Sequence, residues 1–301
     1  MDIHPTILAI LYPSYTSIIV LLFPRPEGAM KMHPTAARVL GRRLFSTSTS
    51  TSSSSSSYKQ VYSVAAQEVT PSLYSKIFED QKPVVLRGYV NSWPALASVD
   101  LERQWSFESL KRRLEYHIIA VEFGGDYMSE NMQMINIEFG QFMDYIKNGH
   151  TDVGHIYLAQ QLLSTFPSLE DDIIVPAICR STGKSTLYNS NLWIGPQGVQ
   201  SPCHFDPFNN VLCQIIGRKR VVCFPQDQSE FLYAAKNTMQ PNTSLVDINN
   251  PDLQKHPDFI NAQDYGVEVE IERGDALFIP YKHWHFVESL SSSVSVNFWW
   301  L

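Results

Sequence analysis

The chain has 301 residues, a net charge of −7, 44% hydrophobic and 18% charged residues, and four cysteines. That length can bury one sizeable core, or one core with a small attached subdomain, and the 12% aromatic content suits a compact enzyme better than a disordered regulator. The acidic balance excludes a bulk electrostatic pull toward nucleic acid, suits a basic or Arg-rich substrate, and comes with no CxxC pair that would indicate a disulfide scaffold. Cys179, Cys203, Cys213 and Cys223 are therefore expected as reduced core residues of a protein in a reducing compartment, although Cys213 and Cys223 flank an expected hairpin and could approach each other.

In chain order, residues 1–57 read as a leader that contributes nothing to the core. Ile7 to Phe23 is apolar but short, is interrupted by Pro13 and is preceded by no basic residue, so neither a stable membrane span nor a secretory signal is expected. Residues 30–57 carry Arg38, Arg42 and Arg43, no acid, and an unbroken Ser/Thr run from Ser46 to Ser57. This is the composition of a mitochondrial transit peptide if translation begins at Met30 or Met32; otherwise the segment is a tail without targeting value, which leaves cytosol or nucleus.

From Tyr58 the pattern becomes that of a folded domain. Thr70-Pro71 predicts a helix start running to about Glu79, Pro83 to Gly88 a buried strand, Ser106 to Leu114 a helix and His117 to Phe123 a strand. Glu138 to Lys147 is an amphipathic helix with Phe139, Phe142, Met143 and Ile146 on one face. Short strands follow at His155–Ala159, Thr186–Ile194, Asn210–Ile216, Arg220–Phe224, Glu268–Ile271, Ala276–Ile279, His285–Glu288 and Ser293–Trp299, with Gly217-Arg218-Lys219 read as a hairpin turn. The expectation is a mainly β fold with helical decoration, divided into an α/β part over 58–150 and a barrel or sandwich core over 151–301.

The chemistry centres on Ser201-Pro-Cys-His204-Phe-Asp206. On a strand, residues two apart share a face, so His204 and Asp206 offer an imidazole and a carboxylate to one metal ion. A further histidine would complete a 2-His-1-carboxylate triad, which leaves positions on Fe(II) for a bidentate keto acid and dioxygen; catalytic zinc, with a single open position, is disfavoured. Downstream, Gly274-Asp275-Ala-Leu-Phe-Ile-Pro280-Tyr-Lys-His283-Trp-His285 reads as turn, buried strand, proline stop and a His-bearing strand. Spacing alone does not choose between His283 and His285; His283, nearer the turn, is expected to be the more exposed. Lys219, fifteen residues past His204, is either part of an exposed basic turn with Arg218 and Arg220 or a buried cation awaiting an anion such as the distal carboxylate of 2-oxoglutarate.

These residues resemble a known family. Asn191-Leu-Trp193-Ile-Gly195, Ser201 to Pro207, Asn210 to Lys219, Asn242 to Asp247, Asn250 to Leu253, Phe278 to His285 and Ser295 to Trp300 are similar, in motif and order over residues 65–301, to JmjC-domain oxygenases. Within these the similarity is to the small hydroxylases grouped around jumonji domain-containing protein 5. The resemblance implies a double-stranded β-helix (jelly-roll, cupin-like) barrel with N-terminal helical elements. It also implies Fe(II) held by His204, Asp206 and His285, and 2-oxoglutarate held by Lys219 with Tyr157, Ser201 and Asn210. Glu122 and Trp193 would line the substrate pocket, where a carboxylate and an aromatic face suit a guanidinium.

One departure weakens the arginine expectation: where the group has a second substrate-facing tryptophan, this chain has Met132. The implied reaction is hydroxylation of a protein side chain, arginine favoured, with release of succinate and CO2. The alternatives are methyl-lysine demethylation or tRNA hydroxylation by the same chemistry, or an inactive JmjC scaffold. Nothing basic and aromatic-laced supports RNA. The Asn242-Thr-Ser sequon is set aside on the expectation of an intracellular protein.

Overall fold

The computed structural model describes residues 58–97, 100–124, 132–148, 156–236 and 240–301; the expected leader over 1–57 and His155 lie outside these. Its first part contains β1 (Lys59–Gln60), β2 (Tyr62–Ala65), α1 (Pro71–Asp80), β3 (Val84–Arg87), α2 (Phe107–Leu114), β4 (Ile118–Phe123), β5 (Gln133–Glu138) and α3 (Phe139–Asn148). Then come β6 (Ile156–Leu162), α4 (Pro167–Glu170), α5 (Ala177–Ser181), β7 (Leu187–Gly195), β8 (Gln200–Phe205), β9 (Asn209–Ile216) and β10 (Lys219–Phe224). The chain finishes with α6 (Phe259–Gln263), β11 (Val267–Ile271), β12 (Ala276–Ile279), β13 (Trp284–Ser289) and β14 (Ser293–Trp300).

Local chemistry explains the helices that brace the barrel. Thr70 caps α1 by accepting from the Leu73 amide at 3.3 Å, with Pro71 at the first helical position. Ser106 and Ser109 cap α2 reciprocally, each hydroxyl accepting from the other's backbone N–H at 3.0 and 2.8 Å. In α3 the four residues that share a face, Phe139, Phe142, Met143 and Ile146, are all buried.

The strands form two sheets, with orders β1-β11-β10-β13-β8 and β2-β3-β12-β9-β14-β7-β6-β4-β5. The fold is a mainly β, cupin-like jelly roll. One apolar cluster packs the larger sheet against the helices, from Leu110, Leu114 and Phe142 to Val211, Phe278, Phe298 and Trp300. A second lies between the sheets, including Val85, Leu212, Val221, Cys223, Ile279 and Val287. A third covers the outer face of the smaller sheet, where Phe224, Trp284 and Phe286 meet Leu232, Ile248 and Phe259. Central strand β14 is buried along its whole length; its polar residues Ser293, Ser295 and Asn297 alternate with apolar ones and are hydrogen-bonded to Ser289, Gln214 and Asn210.

The expected hairpin at Gly217 is not a hairpin. β9 pairs with β12 and β14 in the larger sheet, whereas β10 pairs with β11 and β13 in the smaller one. The turn at Gly217 is an arch that carries the chain from one sheet to the other. Cys213 and Cys223 consequently belong to different sheets and different apolar clusters, and all four cysteines are free and buried. Among the described residues no helix is long and apolar enough to cross a membrane.

Gly217 has φ +75, and a Cβ there would collide with the Ser292 carbonyl oxygen. Gly217→Ala should therefore destabilise the fold by at least ~1–2 kcal/mol in urea denaturation, the minimum expected from left-handed backbone strain alone. An unchanged midpoint and slope would show that the arch is not under this constraint.

Candidate active site

β8 alternates Cys203 outward, into the cluster on the outer face of the smaller sheet, and His204 inward. Asp206 is the first residue beyond that strand. Its carbonyl oxygen accepts from the Lys282 amide at 3.1 Å, which ties this loop to the turn that begins β13. On β13, His285 sits directly opposite His204, and the two ring centroids are 4.3 Å apart. His204 Nε2 is 3.8 Å from Asp206 Oδ1, and His285 Nε2 is 3.6 Å from Oδ2.

Both imidazoles are oriented by their other nitrogen. His204 Nδ1 lies 2.8 Å from the Pro202 carbonyl oxygen, and His285 Nδ1 lies 3.0 Å from that of His283. A carbonyl only accepts, so each Nδ1 carries the proton and each Nε2 presents a lone pair. Burial, followed by the neighbouring His204, lowers the His285 pKa to about 4, so this ring is neutral and ready to bind a metal at neutral pH. The candidate ligand atoms of His204, Asp206 and His285 all lie within 4.8 Å of one another and could hold one metal ion. His283 is outside this convergence, but it is not the exposed residue expected: it is 9% accessible, packed beneath the turn.

Lys219 is 2% accessible. It enters the barrel as the first residue of β10, which alternates Lys219, Val221 and Cys223 toward the interior. Its neighbours Arg218 and Arg220 stay on the outer face, where they pair with Glu270 at 2.5 Å and with Glu268 at 2.8 Å. The exposed basic turn is thus true of Arg218, true only in part of the half-buried Arg220, and false of Lys219. Among the described residues the Lys219 Nζ reaches only the Tyr157 hydroxyl, at 3.5 Å, and burial lowers its pKa to about 7. The Tyr157 hydroxyl in turn hydrogen-bonds Ser201, and Gly195 gives the Tyr157 ring its space, since a Cβ there would come within 2.8 Å of it. Asn210 donates to Asp206 Oδ2 at 3.4 Å. Lys219, Tyr157, Ser201 and Asn210 line one small cavity together with the three histidine and aspartate side chains.

A cleft of about 350 Å³ opens above that cavity and shares Tyr157, Trp193, Ser201, His204 and Asp206 with it. Glu122 lies on its wall, opposite Tyr157 on one neighbouring strand and Met134 on the other. Burial raises the Glu122 pKa to about 7, so this is not a solvated strand end. Trp193 and Met132 also line the cleft. Met134, Asn242 and Thr243 join them there, and the sequence reading gave none of the three a place at the site. Two-residue alternation from Met132 would have pointed to Met134. Thr243 is placed by a bridge to His204, and Asn242 donates to the Phe205 carbonyl at 2.9 Å; no local pattern announces these tertiary contacts.

Residues 70–301 match the model of the cupin-like domain. The chain is 36% identical over 228 residues to lysine-specific demethylase 8 of Danio rerio, an alignment spanning 75% of this chain and 55% of that protein. It is 38% identical over 231 residues to JmjC domain-containing protein D of Dictyostelium discoideum (71% and 50% covered). It is 30% identical over 233 residues to Jumonji C domain-containing protein 5 of Drosophila melanogaster (75% and 56%). The chain belongs to the cupin-like JmjC oxygenase family. It spans about half the length of these relatives.

A JmjC oxygenase with a converging His-Asp-His set fits Fe(II) and 2-oxoglutarate as cofactor and co-substrate. The unpaired ammonium of Lys219 beside that set is the feature a dianionic keto acid would complement. Without that anion it is a cost. Burial penalises only the charged form, so the penalty is complete below pH 7 and is relieved as pH rises toward 10.5. Lys219→Met should therefore stabilise the ligand-free protein by on the order of 1–4 kcal/mol at pH 6, with the gain shrinking as pH rises, and should abolish thermal stabilisation by 2-oxoglutarate. A variant less stable than wild type at pH 6 would contradict this.

Proposed function

We propose that this chain is an Fe(II)- and 2-oxoglutarate-dependent dioxygenase that hydroxylates a protein side chain, with arginine the favoured target. In this reading His204, Asp206 and His285 hold the iron, and Lys219, Tyr157, Ser201 and Asn210 hold 2-oxoglutarate. The observation that carries it is the buried, unpaired Lys219 facing the same cavity as the triad. When bound, iron would activate dioxygen and 2-oxoglutarate would supply two electrons by decarboxylating, so that one oxygen atom goes to the hydroxylated side chain and the other to succinate, with CO2 released.

The chain's own residues do the binding and orienting. The Lys219 ammonium pairs with the distal carboxylate of the keto acid in a water-poor cavity, where a charge-assisted bond is worth most. The Tyr157 and Ser201 hydroxyls and the Asn210 amide supply the neutral hydrogen bonds that fix its orientation. Glu122 and Trp193 face the substrate from the cleft. A guanidinium arriving there meets a carboxylate poised near neutrality and an indole face. Met132 offers a polarisable apolar wall where a second aromatic face would have gripped the cation, so recognition rests more heavily on Glu122.

Methyl-lysine demethylation is the second reading, favoured by relatives that are named lysine-specific demethylases. The same hydroxylation falling on an N-methyl carbon gives a hemiaminal that releases formaldehyde. Mass spectrometry separates the two, because hydroxylation leaves +16 on the substrate and demethylation removes 14 per methyl group. Iron-dependent production of succinate should vanish in His204→Ala. Wild type that neither binds iron or manganese nor turns over 2-oxoglutarate would leave the scaffold reading standing instead.

Glu122 sets the pH dependence. Its carboxyl is neutral below a pKa of about 7 and ionised above it, so kcat/KM for a cationic substrate should rise with pH up to about 7 and then level. Glu122→Gln should flatten that rise and raise KM for the protein substrate roughly tenfold or more, with substrate-independent turnover of 2-oxoglutarate preserved. A pH profile identical in the variant would remove Glu122 from substrate recognition.

A further inference from the structure

A line of buried amides leads away from the metal-binding carboxylate. Asn210 on β9 donates to Asp206 Oδ2 at 3.4 Å, and Asn297 on β14 donates to Asn210 Oδ1 at 3.0 Å. Asn297 Oδ1 then accepts from the Trp193 indole N–H at 2.8 Å and from Asn191 Nδ2 at 3.1 Å, both on β7. Asn297 and Asn191 are directly opposed in the β14–β7 ladder, so the register of the sheet sets the spacing. The three asparagines are at most 5% accessible.

The two ends give this line a direction. An indole N–H can only donate and an ionised carboxylate can only accept, so each amide between them has one workable orientation out of two. Turning Asn297 over would set its NH2 against the Trp193 N–H and its oxygen against the Asn210 oxygen. Asn191 pays for this arrangement: its own Oδ1 is buried with no hydrogen-bond partner among the described residues. An interior polar group left unmatched costs about 1–3 kcal/mol, so the order imposed on Asn297 outweighs full satisfaction of its neighbour. The weakest link is the long bond to Asp206, the one place where a change in that carboxylate enters the line.

We infer that Asn297 is a positioning residue that couples Asp206 to Trp193, so that filling the metal site fixes the orientation of the indole on the cleft wall. The coupling links the carboxylate read as a metal ligand to the aromatic face on the cleft wall. It rests on the reading of His204, Asp206 and His285 as the metal centre. It does not depend on which side chain is the substrate.

The test uses the full chain with 15N-labelled tryptophan indoles and Zn(II) as a redox-inert probe of the metal site. The Trp193 indole resonance is assigned by its disappearance in Trp193→Phe. Saturating zinc should shift that resonance in wild type. In Asn297→Ala, zinc should still bind, roughly tenfold more weakly, and the Trp193 resonance should no longer respond. Asn297→Ser, which retains a small polar group but cannot span both partners, should behave alike and serves if the alanine variant fails to fold. The Trp299 and Trp300 resonances report folding in each case. A zinc-induced Trp193 shift of wild-type size in either folded variant, or none in wild type that has bound zinc, overturns the coupling. Failure of wild type to take up zinc, read by competition with a chromophoric chelator, overturns the metal centre itself and the coupling with it.

Discussion

The constraint on which the rest of this molecule depends is the burial of one ammonium group without a counter-ion among the described residues. Lys219 is enclosed between two sheets, its nitrogen touching only the Tyr157 hydroxyl among the described residues, and burial lowers its pKa to about 7. Apolar residues of the same volume would stabilise the barrel better. A site that keeps such a group is built for what binds there, and the converging triad in the same cavity points to a metal-chelating anion.

Much of the architecture serves to hold that cation in place. The arch at Gly217 takes the chain from the larger to the smaller sheet and starts β10 on Lys219, while Arg218 and Arg220 are held outside by glutamates. β13 lies between β10 and β8, so His285 is supported on one side by Cys223 and on the other by His204. The apolar cluster between the sheets closes one side of the cavity through Leu212, Ile279 and Val287. Polar side chains of β7, β9 and β14 close another with amides that satisfy one another almost completely.

Legibility in the sequence followed the range of the interaction. The cap of α1, the extent of α2 and the amphipathic face of α3 rest on contacts within a few residues and were readable as such. The HxD spacing brought His204 and Asp206 together as a local consequence of strand alternation, although Asp206 sits just past the strand end. The Gly217 turn misled because glycine and two cations between apolar runs look alike in a hairpin and in an arch. Which strands pair is decided by β11, β12, β13 and β14, fifty or more residues on. For the same reason Asn297, Thr243 and Asn242 carried no local mark of their places beside the site. β5 was missed although Ile135 and Ile137 alternate inward, its apolar residues being too few to stand out beside the polar Gln133, Asn136 and Glu138.

The central claim is that Lys219 awaits a carboxylate and regains its proton on meeting it. Isothermal titration calorimetry of 2-oxoglutarate into the Mn(II)-loaded protein at pH 8, repeated in buffers of different ionisation enthalpy, measures this directly. Because Lys219 is mostly neutral at that pH when alone, binding should draw most of one proton from the buffer, and Lys219→Met should bind without that uptake. Tight binding of 2-oxoglutarate with no proton uptake, or uptake that persists in Lys219→Met, would contradict the account.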